Sequence, residues 1–287
     1  MLNKKLLTVA INKYKQSPLM GCVNDSILVT KILTEKYGFS PSNVKALIDG
    51  EATTKHILEG LAWLVKNAKP GDTLVFHYSG HGSQVPVEDY KNTDEDDGFD
   101  EVLCPVDIDF YSNLFIRDHE AGVFFKSLPA GVNALAILDC CHSGTGLRNG
   151  VQKTLPENVK NRFMAPPISS LLSNPNISID EDLALYTSAP SKKSIFRSSC
   201  IDLTDKQGDT ILISGCKDNQ TSADAFINGR YHGALTYYLF ETLKESNWKL
   251  SYDNLVKIVN KKLDKCLYEQ DPMLEGRKDR ITKLFLS

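Results

Sequence analysis

No CxxC pair occurs in the 287 residues, and the seven cysteines are scattered as Cys22, Cys104, Cys140, Cys141, Cys200, Cys216 and Cys266. A structural zinc site needs clustered thiolates, so none is expected. An odd cysteine count with two neighbours side by side does not read as a disulfide framework. It reads as a reduced, cytoplasmic protein. No apolar run approaches the ~18–20 residues of a membrane span. The N-terminal apolar run, 6–11, ends at Asn12-Lys13 with no small-residue cleavage site, too short for a secretory signal. Charge of one sign is also missing: Lys+Arg 33 against Asp+Glu 36 leaves a net −3. That excludes nucleic-acid or membrane-surface binding by bulk charge. Internal repeats and low-complexity tracts are absent.

What is present is an alternation of two periodicities. Short apolar, partly β-branched runs at 6–11, 44–48, 73–78, 134–138 and 209–214 read as buried strands. Helical spacing appears after Asn24/Asp25 through Tyr37, with Gly38 as a stop, and again after Thr53 or Thr54. Further helical stretches fall at about 119–127, 233–245 and 253–267. Strand–helix–strand order implies an α/β fold with a mostly parallel central sheet and helices on both faces. In such sheets, chemistry gathers at the carboxyl ends of strands.

From 147 to 206 the pattern dissolves into Pro, Ser, Asn and Lys, and only 183–187 reads as a short strand. This stretch is either a tolerated insertion or a cleavable linker.

Two strand ends carry reactive groups. The third strand runs into His77-Tyr78-Ser79-Gly80-His81-Gly82-Ser83, and the fourth into Asp139-Cys140-Cys141-His142-Ser143-Gly144. A thiol and an imidazole brought together suffice for acyl transfer: the thiolate attacks, and the imidazole protonates the leaving amine.

These two segments, with Gly21-Cys22-Val23-Asn24-Asp25, the 100–107 stretch and Gly215-Cys216-Lys217-Asp218-Asn219-Gln220-Thr221-Ser222-Ala223, resemble the ordered motifs of metacaspases and prokaryotic orthocaspases. The resemblance covers most of the chain. It implies one caspase-like peptidase domain over 1–287, with a large segment (1–146), a linker (147–206) and a small segment (207–287). It implies a cysteine endopeptidase with His81 as base and acid and Cys141 as nucleophile; Cys140 is then only the neighbour. The backbone N–H groups of Gly82 and Cys141 would form the oxyanion hole. Cys22, Asp25, Ser79 and Asp139 would line an S1 pocket accepting Arg or Lys. Asp139, two residues before Cys141, lies on the same side of an extended chain. Asp25 equally suits a helix N-cap. Partners would be protein or peptide substrates, met by a monomer without nucleic acid, membrane or organic cofactor. A silent scaffold and a peptide ligase using the same thioester are the rival readings.

Self-cleavage in the linker would use one of Arg148, Lys153, Lys160, Arg162, Lys192, Lys193, Arg197 or Lys206. The acidic run 94–101 reads as a solvated loop or a calcium site. In the family resembled, calcium is bound at four acidic positions. Asp100 and Asp118 match two of these, while His119 and Arg148 replace the others, so calcium dependence is expected to be weak or absent. Arg148 would then stand in for the cation, pairing with Asp100 or Asp118.

Overall fold

The computed structural model describes residues 2–87, 99–141, 158–167, 169–170, 209–216, 220–266, 268 and 270–287. Six strands form one sheet in the order β12-β9-β7-β3-β1-β2. They are β1 (Lys4–Ala10), β2 (Val44–Ile48), β3 (Thr73–Ser79), β7 (Asn133–Asp139), β9 (Thr210–Ser214) and β12 (Met273–Glu275). All neighbours are parallel except β12, which pairs antiparallel with β9.

The central strands β3, β7 and β9 are buried on both faces, so they are largely apolar instead of alternating in polarity. Leu7, Val9, Leu74, Phe76, Tyr78, Ala134, Ala136 and Leu138 pack with α2 (Thr54–Val65) and α3 (Asp118–Lys126). The intervening Leu6, Val75, Leu135 and Ile137 pack with α1 (Cys22–Tyr37), α4 (Ala234–Glu245) and α5 (Tyr252–Lys265). This is an α/β arrangement with helices on both faces. No described helix is long and apolar enough to cross a membrane. The described cysteines Cys22, Cys104, Cys140, Cys141, Cys216 and Cys266 are free.

The five main strands fall within a residue or two of the expected positions. Helix α1 departs in a way that matters. It starts at Cys22 with Gly21 as N-cap, so Asp25 lies inside the first turn and caps nothing. The same helix ends at Gly38, whose φ of 71° is a left-handed conformation that glycine adopts freely.

Two smaller sheets were not anticipated. One contains β4 (Gly82–Pro86), β5 (Phe99–Leu103) and β6 (Ile116–Arg117). The other contains β11 (Arg230–Gly233), β10 (Ala223–Ile227) and β8 (Val159–Asn161). Strand β8 corrects the expectation that only 183–187 could be a strand within 147–206; that span lies outside the described residues. Val159–Asn161 is too short and too polar to announce itself, and it is a strand only because β10 supplies hydrogen bonds.

Candidate active site

The sheet register brings the two reactive strand ends together. Ser79 of β3 pairs with Asp139 of β7 in parallel neighbours. His81 and Cys141, each two residues further on, therefore leave the sheet side by side. Both are buried.

The His81 ring is oriented by the loop after β1. Its Nε2 is 2.7 Å from the Ser17 carbonyl oxygen. A carbonyl only accepts, so Nε2 carries the hydrogen and Nδ1 is left as the basic nitrogen. Nδ1 is buried without a hydrogen-bond partner among the described residues. Burial pushes the imidazole down to about 4, against the opposing pull of the Ser17 carbonyl. His81 is thus neutral at pH 7 in the intact chain. Its backbone N–H donates to the Tyr14 hydroxyl at 2.9 Å, which fixes the turn.

The main surprise is what lies across these groups. Residues 158–164 run over the site as an extended strand. On the N-terminal side, β8 pairs antiparallel with β10, and Arg162 N–H donates to the Ser222 carbonyl at 3.0 Å. On the C-terminal side, Met164 N–H donates to the Gly82 carbonyl at 2.9 Å. Between them, the carbonyl oxygen of Arg162 accepts from Gly82 N–H at 3.0 Å and from Cys141 N–H at 3.3 Å. The Cys141 sulfur in turn is in contact with the Ser222 N–H.

The Arg162 side chain is completely buried among three carboxylates. Nη2 meets Asp25 at 2.9 Å and Asp224 at 3.0 Å. Nη1 meets Asp139 Oδ1 at 3.2 Å and donates to Ser79 Oγ at 2.9 Å. The Ser79 hydroxyl in turn donates a hydrogen bond to Asp25 Oδ2 at 2.8 Å. Each carboxylate is held by backbone donors as well: Gly233 N–H on Asp25, Thr236 N–H on Asp139, and Met20 and Gly21 N–H on Asp224. Burial raises the Asp25 carboxyl above its ordinary value, and Arg162 beside it works against that rise. Burial opposes the charge on Arg162 too, but the carboxylates, Asp139 foremost, hold it firmly protonated. Gly233 permits this packing, since a Cβ there would collide with Asp139 Oδ2 and Arg162 Nη1.

Of the expected pocket residues, Asp25, Ser79 and Asp139 surround one guanidinium. Cys22 is a buried neutral thiol, raised by burial and felt by Arg162. The sequence reading missed Asp224, Ser222 and Gly233. Ser222 was inside a quoted motif and Asp224 one residue beyond it, but nothing in their types marks them. Of the linker candidates, Lys160 donates to the Pro18 carbonyl at 2.8 Å from an exposed position, and Arg162 fills the pocket. Arg148, Lys153, Lys192, Lys193, Arg197 and Lys206 lie outside the described residues, as does His142.

Three of the positions expected at a calcium site lie close together. Asp100, Asp118 and His119 bring ligand atoms within 4.8 Å of one another. Arg117 Nη1 lies directly against Asp100 Oδ2, both side chains being about nine-tenths buried. Calcium prefers six to eight oxygen ligands. Among the described residues, two carboxylates, an imidazole and an inserted guanidinium fall short of such a ligand set. The cation at Asp100 is Arg117; Arg148, expected there, lies outside the described residues with Asp94, Asp96 and Asp97.

A parallel sheet with helices on both faces, and a Cys and a His leaving adjacent strand ends, define a caspase-like protein. Residues 4–149 match the family described as metacaspase, peptidase C14 domain. Metacaspase-1 of Cryptococcus neoformans is 34% identical over 289 residues, covering 95% of this chain and 62% of that protein. Metacaspase-1 of Meyerozyma guilliermondii is 33% identical over 292 residues, covering 95% and 69%. The chain belongs to the metacaspases, a caspase-like cysteine peptidase family. It spans about two thirds of the length of these relatives. Among solved structures, protein GSU0716 of Geobacter sulfurreducens superposes with a TM-score of 0.70 at 25% identity, covering 99% of this chain and 98% of that one. Caspase-1 of Spodoptera frugiperda shares the fold, with a TM-score of 0.53 at 14% identity.

Proposed function

We propose that this chain is a cysteine endopeptidase that cuts after Arg or Lys, and that the Arg162–Phe163 bond is its own first substrate. The observation that carries the reading is a single residue seen from two ends. Arg162 has its guanidinium among three carboxylates and its carbonyl oxygen between two N–H donors beside Cys141. A surface arginine recruited only for structure has no reason to present its carbonyl to such donors.

In the mechanism, the Cys141 sulfur attacks the Arg162 carbonyl carbon as its proton passes to His81 Nδ1. The carbonyl oxygen gains negative charge, and the Gly82 and Cys141 N–H groups stabilise it; one such donor is typically worth about 10²–10³ in rate. The C–N bond breaks, and His81 returns the proton to the departing Phe163 nitrogen. A water, deprotonated by the same imidazole, then hydrolyses the thioester and frees Cys141.

Until that happens, residues 158–164 block the site, so the intact chain is self-inhibited. The cut falls in the segment joining 1–146 to 207–287, which would remain associated through the shared sheet. The six cysteines among the described residues are free thiols, which suits a reducing, cytoplasmic setting.

A fluorogenic peptide panel tests the specificity. Processed enzyme should cleave after Arg and Lys at least about 10²-fold faster than after Asp, because the three buried carboxylates repel a fourth negative group. Equal or faster cleavage after Asp would overturn the reading.

Calcium is not required in this proposal, because Arg117 supplies the positive charge at Asp100. Rates in chelator and in millimolar calcium are expected to differ by less than about twofold. A saturable rise with calcium, lost in Asp100→Ala or Asp118→Ala, would show that the metal displaces the guanidinium after all.

A further inference from the structure

The contacts of residues 162–164 continue past the bond at Arg162. Gly82 is used twice: its N–H reaches back to the Arg162 carbonyl at 3.0 Å, and its carbonyl accepts from Met164 N–H at 2.9 Å. A parallel bridge joins Gly82 to Phe163. Ser83, fully buried, then donates its hydroxyl to the Met164 carbonyl at 2.6 Å. The backbone of the second residue after the bond is therefore held at both its N–H and its C=O.

Its side chain is held too. Met164 is 8% exposed and belongs to the apolar cluster on the α2/α3 face of the sheet. Its neighbours differ: Phe163 is half-buried and Ala165 is exposed. The alternation is that of an extended segment on a surface: Met164 and Pro166 are buried, and Met164 is the first buried position beyond the bond.

We propose that the start of β4 forms a subsite for the second residue on the carboxyl side of the cleaved bond. Gly82 and Ser83 are its backbone-binding groups, and it takes an unbranched or γ-branched aliphatic side chain such as Met or Leu. The substrate class is thereby narrowed to proteins carrying Arg or Lys followed, after one further residue, by an apolar one. The inference rests on the reading that residues 158–164 sit in the site as a substrate does. A charged side chain at this position would have to enter an apolar cluster without a partner, which is strongly unfavourable.

The test uses processed wild-type enzyme and internally quenched peptides copying residues 158–167. The position of Met164 is varied to Leu, Lys and Asp, and in one further peptide its nitrogen is methylated. An Arg-coumarin amide ending at the residue equivalent to Arg162 serves as reference, since it has nothing beyond the bond. Met and Leu peptides should be cut after Arg with kcat/KM about tenfold or more above the Lys and Asp peptides. The N-methyl peptide should fall by several-fold, because Gly82 loses its donor. If the coumarin amide is cleaved and the four side chains give equal rates, the subsite is refuted while Arg preference stands. If neither the amide nor any peptide is cut after Arg, the underlying reading fails and the subsite with it.

Discussion

Purified wild-type chain should split between Arg162 and Phe163, giving one fragment that ends in Arg162 and another that begins at Phe163. Cys141→Ala or His81→Ala should keep the chain whole, a loss of at least about 10³–10⁴-fold in rate, since nucleophile and base act as one unit. Cys140→Ala should process normally: its side chain sits buried in the sheet's apolar cluster, away from the pocket. Arg162→Gln should slow this cut by about 10²-fold or more, because an amide brings no charge to the three carboxylates. It should also destabilise the intact chain by about 3–5 kcal/mol, the usual cost of leaving buried charges unpaired. Arg162→Lys keeps a cation and should still be cut, which separates lost recognition from lost folding. N-terminal sequencing and intact mass decide the matter. Undiminished processing at this bond in Arg162→Gln would overturn the assignment.

The second large effect lies in the pocket itself. Asp25→Asn, Asp139→Asn and Asp224→Asn should each lower kcat/KM for Arg peptides in trans by about 30-fold to a few thousand-fold, the equivalent of 2–5 kcal/mol for a desolvated charge pair. Asparagine keeps an acceptor for the backbone donors at Gly233, Thr236 and Gly21, so the pocket wall is retained while its charge falls. The effect should be in recognition of the cation: peptides with neutral P1 residues gain relative to Arg. Unchanged Arg and Lys preference in all three variants would contradict the role assigned to these carboxylates.

These two predictions differ in how far the sequence alone leads to them. The parallel sheet was legible because both faces of its central strands are covered, which leaves short, largely apolar runs at 73–78 and 134–138 bounded by small residues. His81 and Cys141 were legible because each follows such a run directly. The small sheets were not, since β4 and β8 are mixed in polarity and owe their form to partners far along the chain. Gly82 pairs with Leu103, and Lys160 with Asp224.

The pocket was half legible. Asp139 is tied to Cys141 by strand geometry, and Asp25 to the turn after β1. Asp224 comes from β10, 85 residues after Asp139, and no local signal joins them. Arg162 was one of eight cations in a segment without pattern. Only three-dimensional placement distinguishes it from Lys160, two residues earlier on the same strand. The calcium question divides similarly. The missing carboxylates at His119 and Arg148 could be read directly, but the guanidinium that meets Asp100 is that of Arg117, a residue adjacent to Asp118.

The central claim is that one Cys–His site with an acidic pocket hydrolyses peptide bonds after basic residues. Its most direct test is the kcat/KM panel with Arg, Lys and Asp at P1, run on processed wild type and on Cys141→Ala. Wild type should hydrolyse the Arg and Lys peptides at least about 10²-fold faster than the Asp peptide, and Cys141→Ala should hydrolyse none. Preference for Asp, or activity that survives in Cys141→Ala, would contradict the account.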